Sequence, residues 1–196
     1  MTDQIIISPE EMREELRRNY LRRRDMVNQE ILSYVIKKDW QGVVDTALSN
    51  WEGLPLAFSF YDNIPDKLKY DFATQAYTHH GDNVPTVRKA VRGALKYGKP
   101  TLPEELAAQE EITVYRAGKE PPEKAKYRIS WTTELQVALF FLKRGRHSIH
   151  LYKGKIKPEH IIAYTDDRSE KEIMQYRHVY DIEELENPET EKEGKR

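Results

Sequence analysis

The chain has 196 residues and a formal net charge of −1, with 38% hydrophobic and 33% charged residues, which predicts a soluble globular protein. It contains no cysteine, which excludes disulfides, thiolate metal sites and cysteine nucleophiles. No apolar run approaches the roughly 20 residues that span a bilayer, and the run from Ile5 to Ile7 is too short for a signal-peptide core, so we expect a cytoplasmic protein with no membrane partner.

The first half of the chain has helical patterns. Ser8 is placed to cap a helix, Pro9 suits its first position and Glu11 can complete a capping box. Apolar residues then recur at near-helical spacing, which predicts a long amphipathic helix up to about Lys38. Further helices are predicted over residues 40–51, from Pro65 to a stop at Gly81, and over residues 85–97.

The second half has strand patterns, with one helix predicted over residues 133–142. Residues 99–105 carry two prolines and mark the boundary between the halves. These features predict an α+β protein: a helical region over residues 1–105, a strand-rich core over 106–186 with a mixed or antiparallel split sheet, and a disordered polar tail over 187–196. Period-two alternation or β-branched and aromatic residues predict strands over residues 111–117, 148–156, 160–165, 172–176 and 178–182.

Polar side chains interrupt these strands at three places. Arg116 follows an apolar strand, Ser130 and Thr132 put two hydroxyls on one strand face, and Glu170 and Glu172 are two positions apart near the start of another strand. Alternation would put both carboxylates on one face, about 7 Å apart. Each feature alone also fits a solvated surface, but a sheet could gather all of them into one cleft.

In this order, "VYRAG", "ISWTTELQVALFF" and "EKEIM" resemble the motifs of the mono-ADP-ribosyltransferase superfamily, in the branch with arginine, a Ser-Thr-Ser-like strand and Glu-x-Glu. The resemblance covers residues 111–185, under half of the chain. It implies that the core is an ADP-ribosyltransferase-like NAD-binding domain. Arginine at position 116 separates the chain from the histidine-tyrosine-glutamate branch, so transfer of a single ADP-ribose unit is favoured over polymer formation.

The resemblance also implies a role for each motif residue. Arg116 would contact the phosphates of NAD, and Ser130 would hold the nicotinamide ribose, with Thr132 at the third position of that motif. Glu172 would be the catalytic glutamate, which bonds the ribose hydroxyl and stabilises the positive charge formed as nicotinamide leaves. Glu170 would orient or deprotonate the incoming nucleophile.

Further residues complete this hypothesis. Phe140 is a candidate to line the nicotinamide pocket, and its neighbour Phe141 is the alternative. Both residues also fit a role in the core. Trp131 departs from the family motif, which has a small residue at that position. The resemblance implies NAD as the co-substrate. The six histidines show no ligand spacing, so no metal is expected.

The acceptor of ADP-ribose stays open between a protein arginine and a nucleic-acid base. Glu-x-Glu accompanies arginine transfer in the family, whereas two basic helical stretches could form a phosphate-binding groove. The first stretch also contains acidic residues and fits a solvated helix face better. The resemblance makes the chain similar to toxins of toxin–antitoxin or phage-defence systems, or to phage-encoded host modifiers, with an antitoxin protein as a partner. The alternatives are an inactive NAD- or partner-binding module and a helical interaction protein. The basic residues are Arg13, Arg17, Arg18, Arg22, Arg23 and Arg24 in the first stretch, and Arg88, Lys89, Arg92, Lys96 and Lys99 in the second.

Overall fold

The computed structural model describes residues 8–80, 84–144, 148–167 and 169–186. The chain divides into two compact units, Met1–Val87 and Arg88–Arg196. The tail predicted over residues 187–196 and the helix stop predicted at Gly81 lie outside the described residues.

The first unit is helical. Its long first helix begins as the sequence predicts, because the Ser8 hydroxyl accepts from the Glu11 N–H and the Glu11 carboxylate accepts from the Ser8 N–H, which completes the capping box. Lys38 ends the helix in the left-handed conformation, with φ 56°. The helices are α1 (Pro9–Lys37), α2 (Trp40–Ser49), α3 (Leu54–Ser59) and α4 (Asp66–His80).

The core of this unit lies where α1, α2, α3 and α4 pack together. Ile31 of α1 is fully buried, and Phe58 stacks on Phe72 with ring centroids 4.4 Å apart. The second predicted helix ends at Ser49 rather than at Trp51, because a short 3₁₀ turn over Trp51–Gly53 leads into α3.

The second unit contains six strands, which form one sheet with the order β4-β5-β2-β1-β3-β6 and antiparallel pairing throughout. The helices that follow α4 are α5 (Pro85–Arg92), which contains the boundary between the units, α6 (Glu104–Ala107), α7 (Pro122–Ala125) and α8 (Leu135–Arg144). The strands are β1 (Ile112–Gly118), β2 (Ser130–Thr132), β3 (His150–Ile156), β4 (Ala163–Thr165), β5 (Glu172–Met174) and β6 (Tyr180–Leu185).

The sheet narrows in its middle. β1 pairs with β3 along its whole length, but it pairs with β2 only at Tyr115 and Thr132. Beyond that pair the Arg116 guanidinium donates from Nη1 to the carbonyl of Ser130, so a side chain bridges the two strands where the backbone ladder stops. Two three-stranded halves therefore meet at a narrow joint beside Arg116.

A buried cluster around Trp131, Tyr152 and Ile173 forms the main core of this unit, and α8 packs a smaller cluster containing Ala138 and Leu142 against β1, β2 and β3. Trp131 is 2% exposed and its indole N–H donates to the carbonyl of Arg128. The residue that departs from the family motif is thus part of the core.

The prediction of an α+β protein is confirmed at this level: a run of helices is followed by a sheet built from antiparallel pairs. Among the described residues, no helix combines the length and the apolar content needed to cross a membrane. The domain boundary predicted at residue 105 stays a prediction beside the observed division after Val87.

Candidate active site

A cavity of about 230 Å³ opens at the narrow joint of the sheet. Its walls come from β1, from β2, from α8, from the segment before β3 and from the segment before and at the start of β5. Residues that are far apart in the sequence meet here because antiparallel pairing brings β2 between β1 and β5. The lining includes Arg116, Ser130, Thr132, Phe141, Glu170 and Glu172.

Arg116 is held in place from two sides. Its Nε lies 3.2 Å from Oε1 of Glu120, and its Nη1 donates to the carbonyl of Ser130. A guanidinium fixed in this way has lost much of its rotamer freedom before any ligand arrives, which lowers the entropic cost of binding an anion.

Glu120 is the buried centre of this arrangement, with a side chain only 6% exposed. Its Oε1 also lies 2.9 Å from Nε of Arg128. Burial alone would raise the pKa of Glu120, but the charges of Arg116 and Arg128 together with hydrogen bonds hold that pKa below its usual value of 4.5. The carboxylate is therefore ionised and shared by two arginines.

The absence of a side chain at Gly118 leaves the space that the Glu120 carboxylate occupies. A Cβ at position 118 would lie 2.9 Å from Oε1 of Glu120, so a side chain there would displace the group that orients Arg116. Tyr152 is fully buried and its hydroxyl donates to the backbone carbonyl of Glu120. Sequence reasoning missed Glu120, because no motif marks a carboxylate four residues after a strand arginine.

Thr132 acts on the backbone beside the cavity. Its hydroxyl donates to the carbonyl of Glu170 at 2.6 Å and accepts from the N–H of Glu134 at 3.0 Å. The residue lines the cavity, and its hydroxyl connects β2 to the turn that carries Glu170 and to the start of α8.

Both glutamates line the cavity, but the backbone that places them there differs from the predicted strand. Glu172 is the first residue of β5 and is 8% exposed, whereas Glu170 lies in the preceding turn and is half-buried. Ser169 and Lys171 have φ of 54° and 42°, so the period-two argument is wrong for this pair. The turn, rather than strand alternation, brings both carboxylates to the same cavity.

The described residues of this turn, 166, 167 and 169–171, are anchored to the start of α8. Lys171 places its Nζ 2.6 Å from the carboxylate of Glu134, and its carbonyl accepts from the N–H of Thr133. The Lys171 N–H also donates to the carboxylate of Asp166 across the turn. Several local bonds therefore fix a segment whose backbone conformation is uncommon.

The phenylalanine that lines the cavity is Phe141, one position after the predicted Phe140. Among the described residues that line the cavity, Phe141 is present and Phe140 is not. Phe140 is 51% exposed, contacts Phe141 edge to face and lies under the guanidinium of Arg144. On α8 the two residues are about 100° apart, so only one of them can face the sheet.

A second cavity, of about 320 Å³, lies beside Lys171 of the anchored turn. Its lining includes Glu105, Gln109, Glu134, Tyr164 and Lys171. Within the parts of the chain that the structure describes, no cluster of three or more histidine, aspartate or glutamate side chains is arranged to hold a metal ion.

Most residues of the predicted basic stretches are exposed and helical, but Arg24 and Arg88 are half-buried and Lys99 lies outside any helix. In the first, Arg23 pairs with the buried carboxylate of Glu52 at 3.3 Å and Arg24 pairs with its neighbour Asp25. In the second, the guanidinium of Arg92 lies 4.2 Å from the ring centroid of Tyr176.

No protein-family model, no curated protein and no solved structure matches this chain.

Proposed function

We propose that this protein is a mono-ADP-ribosyltransferase that moves ADP-ribose from NAD to a macromolecular acceptor. The observation that carries the proposal is the single cavity lined by Arg116, Ser130, Glu170 and Glu172. These residues come from three separate stretches, and each has the chemistry that one part of the reaction requires.

The size of the cavity supports binding of one end of the dinucleotide. Ligand pockets for drug-sized molecules measure about 300–1,000 Å³, so a cavity of about 230 Å³ suits the nicotinamide ribose and leaves the rest of NAD outside it. Phe141 supplies an apolar wall for the nicotinamide ring, and Ser130 supplies a hydroxyl for the ribose.

Arg116 would bind the phosphates that join the two halves of NAD. Glu120 and the Ser130 carbonyl hold Nε and Nη1, while Nη2 donates no hydrogen bond to the described residues. The planar fork is thereby oriented, and its remaining donors suit a phosphate oxygen.

Glu172 would act on the bond that breaks. As the bond between ribose C1′ and the nicotinamide nitrogen cleaves, its electron pair leaves with nicotinamide and positive charge develops on the ribose. A carboxylate that is 8% exposed lies in a medium that screens charge weakly, so it stabilises this cation far more than it stabilises the neutral ribose.

Glu170 would act on the acceptor. The acceptor nucleophile forms the new bond to C1′ and passes its proton to the Glu170 carboxylate, which balances the transfer. The position of Glu170 in the turn, half-buried rather than within the strand, suits a group that meets a second substrate.

The proposal extends to the biological role, that of a toxin, phage-defence effector or host modifier controlled by an antitoxin protein. It is tested by incubating the protein with NAD labelled in the ADP-ribose portion and a cell lysate, and then treating separate portions with protease and nuclease. Label on macromolecules supports the proposal, and the enzyme that removes the label names the acceptor class. Binding of NAD without release of nicotinamide would identify an inactive binding module instead, and no binding of NAD would contradict both.

A further inference from the structure

Two tyrosines and three cations form a compact surface cluster at the end of β2 and β5 opposite to Glu172. We call this set the tyrosine–arginine cluster, and it consists of Arg92, Lys126, Tyr127, Tyr176 and Arg177. The rings of Tyr127 and Tyr176 lie 6.3 Å apart. The guanidinium of Arg177 lies 5.2 Å and 5.0 Å from the two ring centroids, and that of Arg92 lies 4.2 Å from Tyr176.

The charge of this cluster is not neutralised within the described chain. Neither Arg92, Lys126 nor Arg177 has a carboxylate oxygen within 4.0 Å among the described residues. In the same unit, Lys153 and Lys155 are each paired with a glutamate. Three cations around two aromatic rings therefore stand out in a chain whose net charge is −1.

The cluster rests on a buried support. Gln175 is fully buried, and its side-chain amide donates to the carbonyls of Lys126 and Arg128, while its carbonyl oxygen accepts from the N–H of His178. The Arg177 N–H also donates to the Lys126 carbonyl at 2.9 Å. These bonds join the segment before β2 to the segment after β5, so the two tyrosines are fixed relative to each other.

The backbone of Arg177 is held in an uncommon conformation. Its φ of 71° lies in the left-handed region, which few residues other than glycine adopt. Strained backbone of this kind is frequent at sites of function, where neighbouring contacts maintain it. Here the conformation allows one guanidinium to approach both tyrosine rings.

The cluster lies close to the candidate active site along the same strands. Glu172 pairs with Thr132 and Met174 pairs with Ser130, so the strand pair leads directly from the glutamate to the cluster. Tyr176 is four residues beyond Glu172, at most about 13 Å along the strand direction. Arg128 adjoins the cluster and shares Glu120 with Arg116.

We propose that the tyrosine–arginine cluster binds single-stranded nucleic acid and holds it as the acceptor of ADP-ribose. The inference rests on the proposed transferase function for the acceptor role only. Unneutralised cations attract phosphates, and aromatic rings stack with bases that are not enclosed in a duplex. A peptide that presents arginine would instead be repelled by the three cations.

The test measures binding without NAD, by fluorescence anisotropy, of labelled single-stranded RNA and DNA of about 20 nucleotides, longer than a typical single-strand site. We expect the wild-type chain to prefer either single strand to the matching duplex. Tyr127→Ala should weaken binding at least about 5-fold, since a stacked base contributes about 1 kcal/mol or more. Arg177→Gln should weaken it and reduce the slope of log K against log salt by about 0.7.

Matched controls separate this surface from a general loss of charge or aromatic area. Lys153→Gln removes an ion-paired cation of the same unit, and Tyr20→Ala removes a partly exposed tyrosine of the first unit, so both should bind as the wild type does. Circular dichroism melting checks that each variant folds. Wild-type binding by Tyr127→Ala and Arg177→Gln, or stronger binding of the duplex, would overturn the inference.

A second measurement keeps this inference apart from the proposed function. Release of nicotinamide from NAD is followed without nucleic acid. A higher KM for NAD in Tyr127→Ala, with RNA binding unchanged, would assign the cluster to the adenosine half of NAD and overturn the inference. No nicotinamide release with intact single-strand binding would contradict the transferase function but support the nucleic-acid surface.

Discussion

Arg116 shows how one residue of this chain obtains its properties from the residues around it. Its Nε meets the carboxylate of Glu120 and its Nη1 meets the carbonyl of Ser130, so the strand joint and the arginine orient each other. Removing the charge of Glu120 would leave Arg116 with only its hydrogen bond to the Ser130 carbonyl. Arg128 would lose its ion pair with the same carboxylate.

We therefore predict that Glu120→Gln raises KM for NAD more than it lowers kcat, because Arg116, the proposed phosphate-binding arginine, loses its orientation. The same change should lower the free energy of unfolding by about 1–3 kcal/mol at neutral pH, the usual cost of a buried group that loses its partner. Steady-state kinetics and urea unfolding measure the two effects. A variant with wild-type KM would show that Arg116 does not depend on Glu120.

The pH dependence of stability gives an independent test of Glu120. Because its pKa is lower in the folded chain than its usual value of 4.5, the unfolded chain binds more protons near and below that pH. The stability that this carboxylate contributes is present above about pH 4.5 and is lost as the pH falls through the folded pKa. The difference between wild type and Glu120→Gln should shrink along this acid limb, and a difference that stays constant with pH would contradict the assignment.

The role proposed for Glu170 can be separated by experiment from that proposed for Glu172. If Glu170 accepts the proton of the acceptor, Glu170→Gln should reduce transfer to a macromolecule at least about 10-fold while reducing NAD hydrolysis less, since general acid–base catalysis contributes about 10²–10⁴-fold. Comparing acceptor labelling with nicotinamide release in the same reaction measures both rates. Equal losses would argue against an acceptor-side carboxylate.

At the scale of elements, the turn that carries Glu170 is positioned by hydrogen bonds to a neighbouring strand and to the start of a helix. Thr132 and Lys171 connect it to β2 and to the start of α8, so these elements carry Glu170 together. The joint between β1 and β2 opens beside them and leaves room for the cavity.

Thr132→Val tests this anchoring, because valine keeps the shape of threonine and removes both hydrogen bonds of the hydroxyl. We expect a loss of about 1–2 kcal/mol in unfolding free energy and a larger fall in transfer than in NAD binding. Thr113→Val is the control, since the Thr113 hydroxyl has no hydrogen bond among the described residues. Equal behaviour of the two variants would show that the Thr132 bonds contribute nothing.

The pairing of β3 with β6 requires glycine at position 154. A Cβ there would lie 2.6 Å from Cγ1 of the buried Val179 and 3.2 Å from the Tyr180 carbonyl oxygen, at a register shift in the pair. Gly154→Ala should therefore lower the unfolding free energy by about 1–3 kcal/mol. Gly93→Ala is the matched control, because a Cβ at position 93 would have no neighbour closer than 3.7 Å. A similar loss of unfolding free energy in both variants would contradict the packing argument.

At the scale of the whole molecule, the order of helices and strands is readable from the sequence because it depends on local signals. The Ser8 and Glu11 capping box and the alternation along β1 are examples, and both are present in the structure. The short helices α3, α6 and α7 were not predicted, because segments of four to six residues carry too little periodicity to be distinguished from turns.

The candidate site was predictable where it depends on residue type and order. Arg116, Ser130, Thr132, Glu170 and Glu172 line one cavity, although alternation was the wrong reason for the last two. Glu120 and the choice of Phe141 over Phe140 depend on a buried ion pair and on the rotation of α8 against the sheet. Both follow from tertiary packing, which leaves no local signal in the sequence.

The central claim, that these residues convert NAD at one cavity, is tested most directly by nicotinamide release from NAD in the wild type and in Glu172→Gln. We predict release by the wild type and a loss of at least about 100-fold in Glu172→Gln, as for other groups that stabilise a charged transition state. Glu184→Gln, which changes an exposed carboxylate on β6, should retain wild-type release. A Glu172→Gln variant that folds and releases nicotinamide at the wild-type rate would contradict the account.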